Sequence, residues 1–139
     1  MRFSLFIRPL LILTTCSFLT FTQTALAEGE DESAWNGSLK AKFFGEQVIV
    51  EDKDTIEITA PYRAEDPALV PIQVTSKFLQ TPERFIRNIT VIIDNNPTPF
   101  SASFDFTPQS GKADIATRMR FNAYTHVRAI ALTNDGKLH

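Results

Sequence analysis

From Ile56 onward, apolar and polar residues alternate with a period of two. Ile56, Ile58 and Ala60 alternate with Glu57 and Thr59, and the run stops at Pro61. Val70, Ile72 and Val74 alternate with Gln73 and Thr75. Phe85, Ile89, Val91 and Ile93 fall on one face, with Asn88, Thr90 and Asp94 on the other. Ala102, Phe104 and Phe106 alternate with Ser103, Asp105 and Thr107, and Ile115, Met119 and Phe121 oppose Asp114, Arg118 and Arg120. A last apolar run covers Val127 to Leu132. Successive side chains of a strand point to opposite faces, so each run predicts a strand with one buried and one wet face.

The connectors agree. Pro67, the stretch Asn95-Asn96-Pro97-Thr98-Pro99, Pro108-Gln109-Ser110-Gly111 and Asn134-Asp135-Gly136 are turn-forming clusters at short-strand intervals. The expected fold class is all-β, an Ig-like antiparallel β-sandwich of about six or seven strands. The paired cysteines and intervening tryptophan of antibody domains are absent. Leu39 to Gly45 reads either as a helix stopped by Gly45 or as a first strand.

The first 27 residues belong to a separate object. Arg2 and Arg8 give a positive start, and Leu10 to Leu13 with Phe18, Leu19 and Phe21 form an apolar stretch without acids. Ala25-Leu26-Ala27 closes it in the small-x-small pattern that a signal peptidase accepts, with cleavage expected after Ala27. Thr14, Thr15, Thr20, Thr22 and Gln23 interrupt the run, which argues against a membrane anchor. A lipoprotein signal at Leu13-Thr14-Thr15-Cys16 has threonine where a small Gly or Ala is wanted. The organisation expected is therefore a signal peptide (1–27), an acidic flexible leader (28–34) and one domain (35–139), exported to the periplasm and free of the membrane after cleavage.

Composition narrows the chemistry. A formal charge of −2 gives no electrostatic basis for nucleic-acid binding. Cys16, the single cysteine, leaves with the signal segment, so no disulfide or thiolate cluster is expected. His126 and His139 lack metal-ligand spacing, and Asp52 and Asp54 beside Glu51 lack the glycine and distal glutamate of a calcium loop. Ser110-Gly111-Lys112 lacks the upstream glycine of a phosphate loop and is followed by Ala113. Glu65-Asp66 is adjacent rather than opposed. No nucleophile elbow occurs. Neither catalytic residues nor metal ligands are expected, and the chain is read as a binding domain, not an enzyme. Arg118 and Arg120, on one strand face, are the candidates for gripping an anion or a partner's acid; the plainer alternative is a cross-strand charge pair.

The second half carries a specific string: Asn96-Pro97-Thr98-Pro99, Ala102-Ser103-Phe104-Asp105-Phe106-Thr107-Pro108, Ser110-Gly111-Lys112-Ala113, Thr117-Arg118-Met119-Arg120 and Asp135-Gly136. It resembles SoxY, the Ig-like subunit of the SoxYZ sulfur carrier of thiosulfate oxidation. Trp35 with Ala60-Pro61-Tyr62-Arg63-Ala64-Glu65-Asp66 is more similar to the SoxYZ-like carriers associated with quinoprotein dehydrogenases. The resemblance spans Trp35 to His139. It implies a cysteine on a flexible Gly-Gly-Cys arm after the last strand and a SoxZ-like Ig partner. It also implies a neighbouring quinoprotein dehydrogenase or c-type cytochrome, to which pyrroloquinoline quinone and haem would belong; no cofactor is expected on this chain. Here the string runs to Asp135-Gly136-Lys137-Leu138-His139 without a carrier cysteine, which leaves a sheet edge near Val127 to Leu132 expected to be open. The expectation is a periplasmic SoxY-like scaffold; the alternatives are a non-carrier Ig-like docking module or a truncated SoxYZ-like product.

Overall fold

The computed structural model describes residues 32–139. The expected signal segment, its cleavage site after Ala27 and most of the acidic leader lie outside the described residues.

Six strands follow the alternation: β1 (Ile56–Thr59), β2 (Val70–Ser76), β3 (Ile86–Ile93), β4 (Phe100–Asp105), β5 (Ile115–Met119) and β6 (Val127–Thr133). They form two three-stranded antiparallel sheets, ordered β1-β2-β5 and β4-β3-β6. The inward residues meet between the sheets: Ile56, Val70, Ile72, Val74 and Ile115 from the first, and Ile86, Ile89 and Ala131 from the second. Ile72, Val74, Ile86 and Ile89 are all but solvent-free. Burial of such side chains contributes roughly 1.5–3 kcal/mol each and is what holds two sheets face to face.

The ambiguous segment before β1 is helical. A wide π-helical turn, Trp35–Leu39, runs into α1, Lys40–Phe44. Trp35, Leu39 and Phe43 recur every fourth residue, so they share one side of the helix. Gly45, with φ of +60°, ends it, a backbone conformation that favours glycine. This side packs on the outer face of the second sheet, where Trp35 and Leu39 meet Ile92, Ile130 and Leu138 in a second, smaller core.

Two strand-face expectations are corrected. The outer face of β3 is not uniformly wet: Val91 through Asp94 are all buried, because the helix covers the end where Ile92 and Asp94 lie. The inward residue at the start of β3 is Ile86, whereas Phe85 is half-buried. A register shift between Ile86 and Asn88 is the reason, since one displaced residue flips the side chains that follow.

The edge of β6 is likewise only partly open. Thr133 to Lys137 forms a tight turn, with Gly136 at φ +85°. The returning residues then pair antiparallel with β6: Ala131 and His139 exchange two backbone hydrogen bonds of 2.9 Å, and the Thr133 N–H donates to Lys137 O at 3.0 Å. On its other side Leu138 bridges Ile49. The stretch Ala131–Thr133, expected to be exposed as an edge, is therefore covered by Lys137–His139.

Candidate functional site

Arg118 lies on the solvent face of β5, and Arg120, also exposed, stands one residue beyond its end. Register places Arg118 opposite Pro71 of β2, so no acid faces it across the ladder. Among the described residues neither arginine forms an ion pair. Arg118 borders a shallow hollow of about 340 Å³ whose walls include Thr59, Gln73 and Thr117. A guanidinium beside hydroxyl and amide groups offers the donors a carboxylate or sulfur oxyanion needs. Arg120 does not border that hollow. Its Nε donates to Asn122 Oδ1 at 3.3 Å, and its carbonyl accepts Asn96 Nδ2 at 2.8 Å. The two arginines share a face but not a site.

The motif string does structural work. Asn96, in the β3–β4 turn, also accepts the Asn122 N–H at 3.0 Å, so its side chain clamps the backbone between β5 and β6 at both Arg120 and Asn122. Pro108 opens a 3₁₀ turn, Pro108–Ser110, closed by a reciprocal Thr107–Ser110 capping box. Gly111 follows at φ +74°, and its carbonyl accepts the Gln80 N–H at 2.8 Å. Asp135 accepts from Thr133 Oγ1 at 2.6 Å and pairs with Lys137 at 2.7 Å in the last turn. In this chain these residues join the ends of strands.

Sequence reasoning missed two polar clusters. Arg128, on the outer face of β6, is bound by both carboxylate oxygens of Asp94: Nε donates to Oδ1 at 3.2 Å and to Oδ2 at 3.0 Å, and Nη2 donates to Oδ2 at 3.0 Å. The Asp94 side chain is fully buried, Glu32 approaches the same guanidinium at 3.5 Å, and the Trp35 ring lies 4.7 Å from it. The run Val91-Ile92-Ile93, apolar on both faces, was the signal that a cover exists there.

The second cluster joins distant parts of the chain. His139 Nδ1 lies 2.7 Å from Asp52 Oδ2 and 3.2 Å from Thr55 Oγ1. Asp52 Oδ1 also accepts the N–H groups of Thr55 and Asp54, so this aspartate caps the turn leading into β1. Among the described residues there is no group of three or more metal-ligating side chains.

The His139 hydrogen bond, and then the backbone N–H groups, hold the Asp52 carboxyl below its ordinary value of 3.8 against the opposing effect of burial. A depressed folded pKa adds stability above the unfolded value, and that stability is lost as pH falls through the folded value. Stability is thus expected to decline in acid below pH 4, as Asp52 and the lysine-paired Glu57 and Asp135 take up protons. Carboxyl NMR titration checks this: an Asp52 midpoint at or above 3.8 removes the basis for the claim.

A family model described as "Sulfur oxidation protein SoxY" matches residues 40–139. No curated protein gives a significant match. Among solved structures, the sulfur carrier protein SoxY from Chlorobium limicola f thiosulfatophilum is 30% identical with a TM-score of 0.58, covering 78% of this chain and 90% of that one. A superoxide reductase (neelaredoxin) from Ignicoccus hospitalis is 19% identical with a TM-score of 0.56, covering 70% of this chain and 92% of that one, and shares the fold alone.

Proposed function

Since the chain belongs to the SoxY family of sulfur oxidation proteins and is similar to a solved sulfur carrier protein SoxY, we propose that it is the scaffold domain of a periplasmic SoxY-like carrier. In this reading it works in sulfur-compound oxidation, thiosulfate being the expected substrate, beside a SoxZ-like Ig partner. The observation that carries the reading is the extent of the likeness, which takes in every strand and the motif turns between them.

A sulfur carrier needs a thiolate, the nucleophilic form of cysteine. Residues 32–139 contain no cysteine, and Cys16 is the only one in the sequence. The domain's part is therefore positional: it holds a partner and a carrier group contributed from outside these residues. The surface supports a docking role. Tyr62 and Tyr124, the chain's two tyrosines, project into solvent beside an apolar recess of about 300 Å³ that includes Phe121 and Pro61. Tyr62 lies within Ala60 to Asp66, the stretch similar to quinoprotein-associated carriers. That favours a second reading, a docking module for a periplasmic quinoprotein dehydrogenase or its cytochrome.

Intact mass spectrometry of the protein and its co-purifying partner, recovered from the host periplasm before and after thiosulfate exposure, tests the reading. The expected result is a chain beginning at Glu28, with the sulfur adduct on the complex but not on residues 28–139. An unprocessed chain outside the periplasm overturns export. A complex that never gains sulfur but contains a dehydrogenase or cytochrome transfers the assignment to the second reading.

A further inference from the structure

The β1–β2 ladder ends where the sequence forbids it to continue. The Lys77 N–H donates to Thr55 O at 3.0 Å, so Thr55, Glu57 and Thr59 are the residues that turn their N–H and C=O groups toward β2. Glu57 and Thr59 face Thr75 and Gln73 in register, and the next bonded pair in that phase is Pro61 with Pro71. Neither proline has an N–H to give. The ladder stops at Thr59 and Gln73, and both prolines border the shallow hollow of about 340 Å³ beside Arg118. Pro71 is tolerated in the middle strand of its sheet because the bond it cannot make falls in this gap.

The gap leaves hydrogen-bonding groups uncommitted. The same alternation turns the Pro71 carbonyl toward β1, where no N–H faces it. Thr59, Gln73 and Arg118 are exposed around it, and among the described residues their side chains bond to no other group. Gln73 stands diagonally across the β2–β5 register from Arg118, within reach of a long side chain. Pro71, directly opposite Arg118, and Ala116, two residues before it, offer the guanidinium no competing partner. No acid borders the hollow, and Glu57, the acid of β1, is paired with Lys77. His139 lies against β6 and Asp52 and borders none of it.

A guest therefore meets a planar cation, hydroxyl and amide groups, and a bare carbonyl acceptor. A free anion answers only the cation, and one guanidinium on an open face holds it weakly. An acidic residue within a peptide answers the carbonyl as well. We propose that this proline-held gap binds an extended segment of a partner protein through an Asp or Glu side chain gripped by Arg118. The carboxylate takes the guanidinium fork, and the N–H of the same residue donates to the Pro71 carbonyl. Pro61, Pro71 and Ala116 have no long side chain to immobilise, so ordering them costs little entropy. The inference rests on Pro61, Pro71 and Arg118 and holds whether or not the sulfur-carrier reading does.

The probe is the pentapeptide Ala-Val-Glu-Val-Ala, acetylated and amidated so that Glu carries its only charge. The full chain is titrated with it by NMR, following the Arg118 Nε–H and the Gln73 side-chain amide. Both signals are expected to shift on binding. Replacing the peptide's Glu by Gln is expected to weaken binding about tenfold, and N-methylating that Glu about fivefold. Arg118→Ala and Arg118→Lys are both expected to weaken it about tenfold, since lysine keeps the charge but not the fork. Arg118 is exposed, so the fold survives either change, and Arg120→Ala is expected to leave binding unchanged. No shift at Arg118 overturns the proposal, as does equal binding of the Gln peptide or by Arg118→Ala, which would mean apolar contact only. Sodium acetate binding as tightly as the peptide, or equal binding of the N-methylated form, overturns it in favour of a small-anion site. Shifts of these signals with chain concentration alone overturn it in favour of a second copy of this chain.

Discussion

Replacing Arg128 by alanine is expected to lower the stability of the fold by about 3–5 kcal/mol. The guanidinium is the bidentate partner of a carboxylate whose side chain has no solvent exposure. Removing one member of a buried pair leaves the other charge desolvated and uncompensated, which costs more than the intact pair contributes. Arg128 also covers the Trp35 ring, so the same substitution loosens the helix from the sheet. Urea denaturation measures the loss, and a change under about 1 kcal/mol would place Asp94 in contact with water. Lysine should not restore the loss, because a point charge cannot make the fork that binds both carboxylate oxygens. Pairing Arg128→Met with Asp94→Asn should recover much of it, since that pair leaves no buried charge behind.

Ile92→Ala is the second large effect, expected at about 2–5 kcal/mol. Ile92 is fully buried against Trp35 and Leu39 on the side of β3 opposite the inter-sheet core. Truncating it leaves a void between helix and sheet that the surrounding packing only partly closes. A substitution on a wet strand face stays within about 0.5 kcal/mol, so the measured value decides between a covered and an open face. A loss below 1 kcal/mol would mean that the helix does not seal the sheet in solution.

The difference between legible and illegible parts of this fold follows from where each residue's cover comes from. β1, β2 and β5 read directly from the sequence because their outer faces meet water, and Glu57, Gln73 and Arg118 mark those faces plainly. β3 read only halfway. Its outer face is covered by Trp35 and Leu39, more than fifty residues earlier, and nothing local to Ile92 names that cover. Asp94 looked like an ordinary polar strand end because its partner, Arg128, lies 34 residues on. His139 and Asp52 are 87 residues apart, and only the β6 hairpin brings them together.

The motif string behaved differently. It identified a family, yet Asn96, Ser110, Gly111 and Gly136 turn out to join strand ends rather than perform chemistry. Arg118 was legible as an exposed cation. That Arg120 would be drawn off to the Asn96–Asn122 turn was not, because the clamp comes from a loop between two other strands.

The order of strands in the sheets also sets a timetable. Of the neighbours in the first sheet, β1 and β2 are adjacent in the chain, but β2 pairs with β5 only after two strands of the other sheet have intervened. A chain emerging from its N-terminus therefore carries Val70, Ile72 and Val74 on a strand with one bare edge until Ile115–Met119 arrives. The second sheet repeats the delay, since β3 receives β4 promptly but waits for β6. Non-local closure of this kind is slow, commonly in the range of milliseconds to seconds, and it prolongs the time in which unpaired edges can find one another. Refolding yield should fall as chain concentration rises, even where the finished fold is stable.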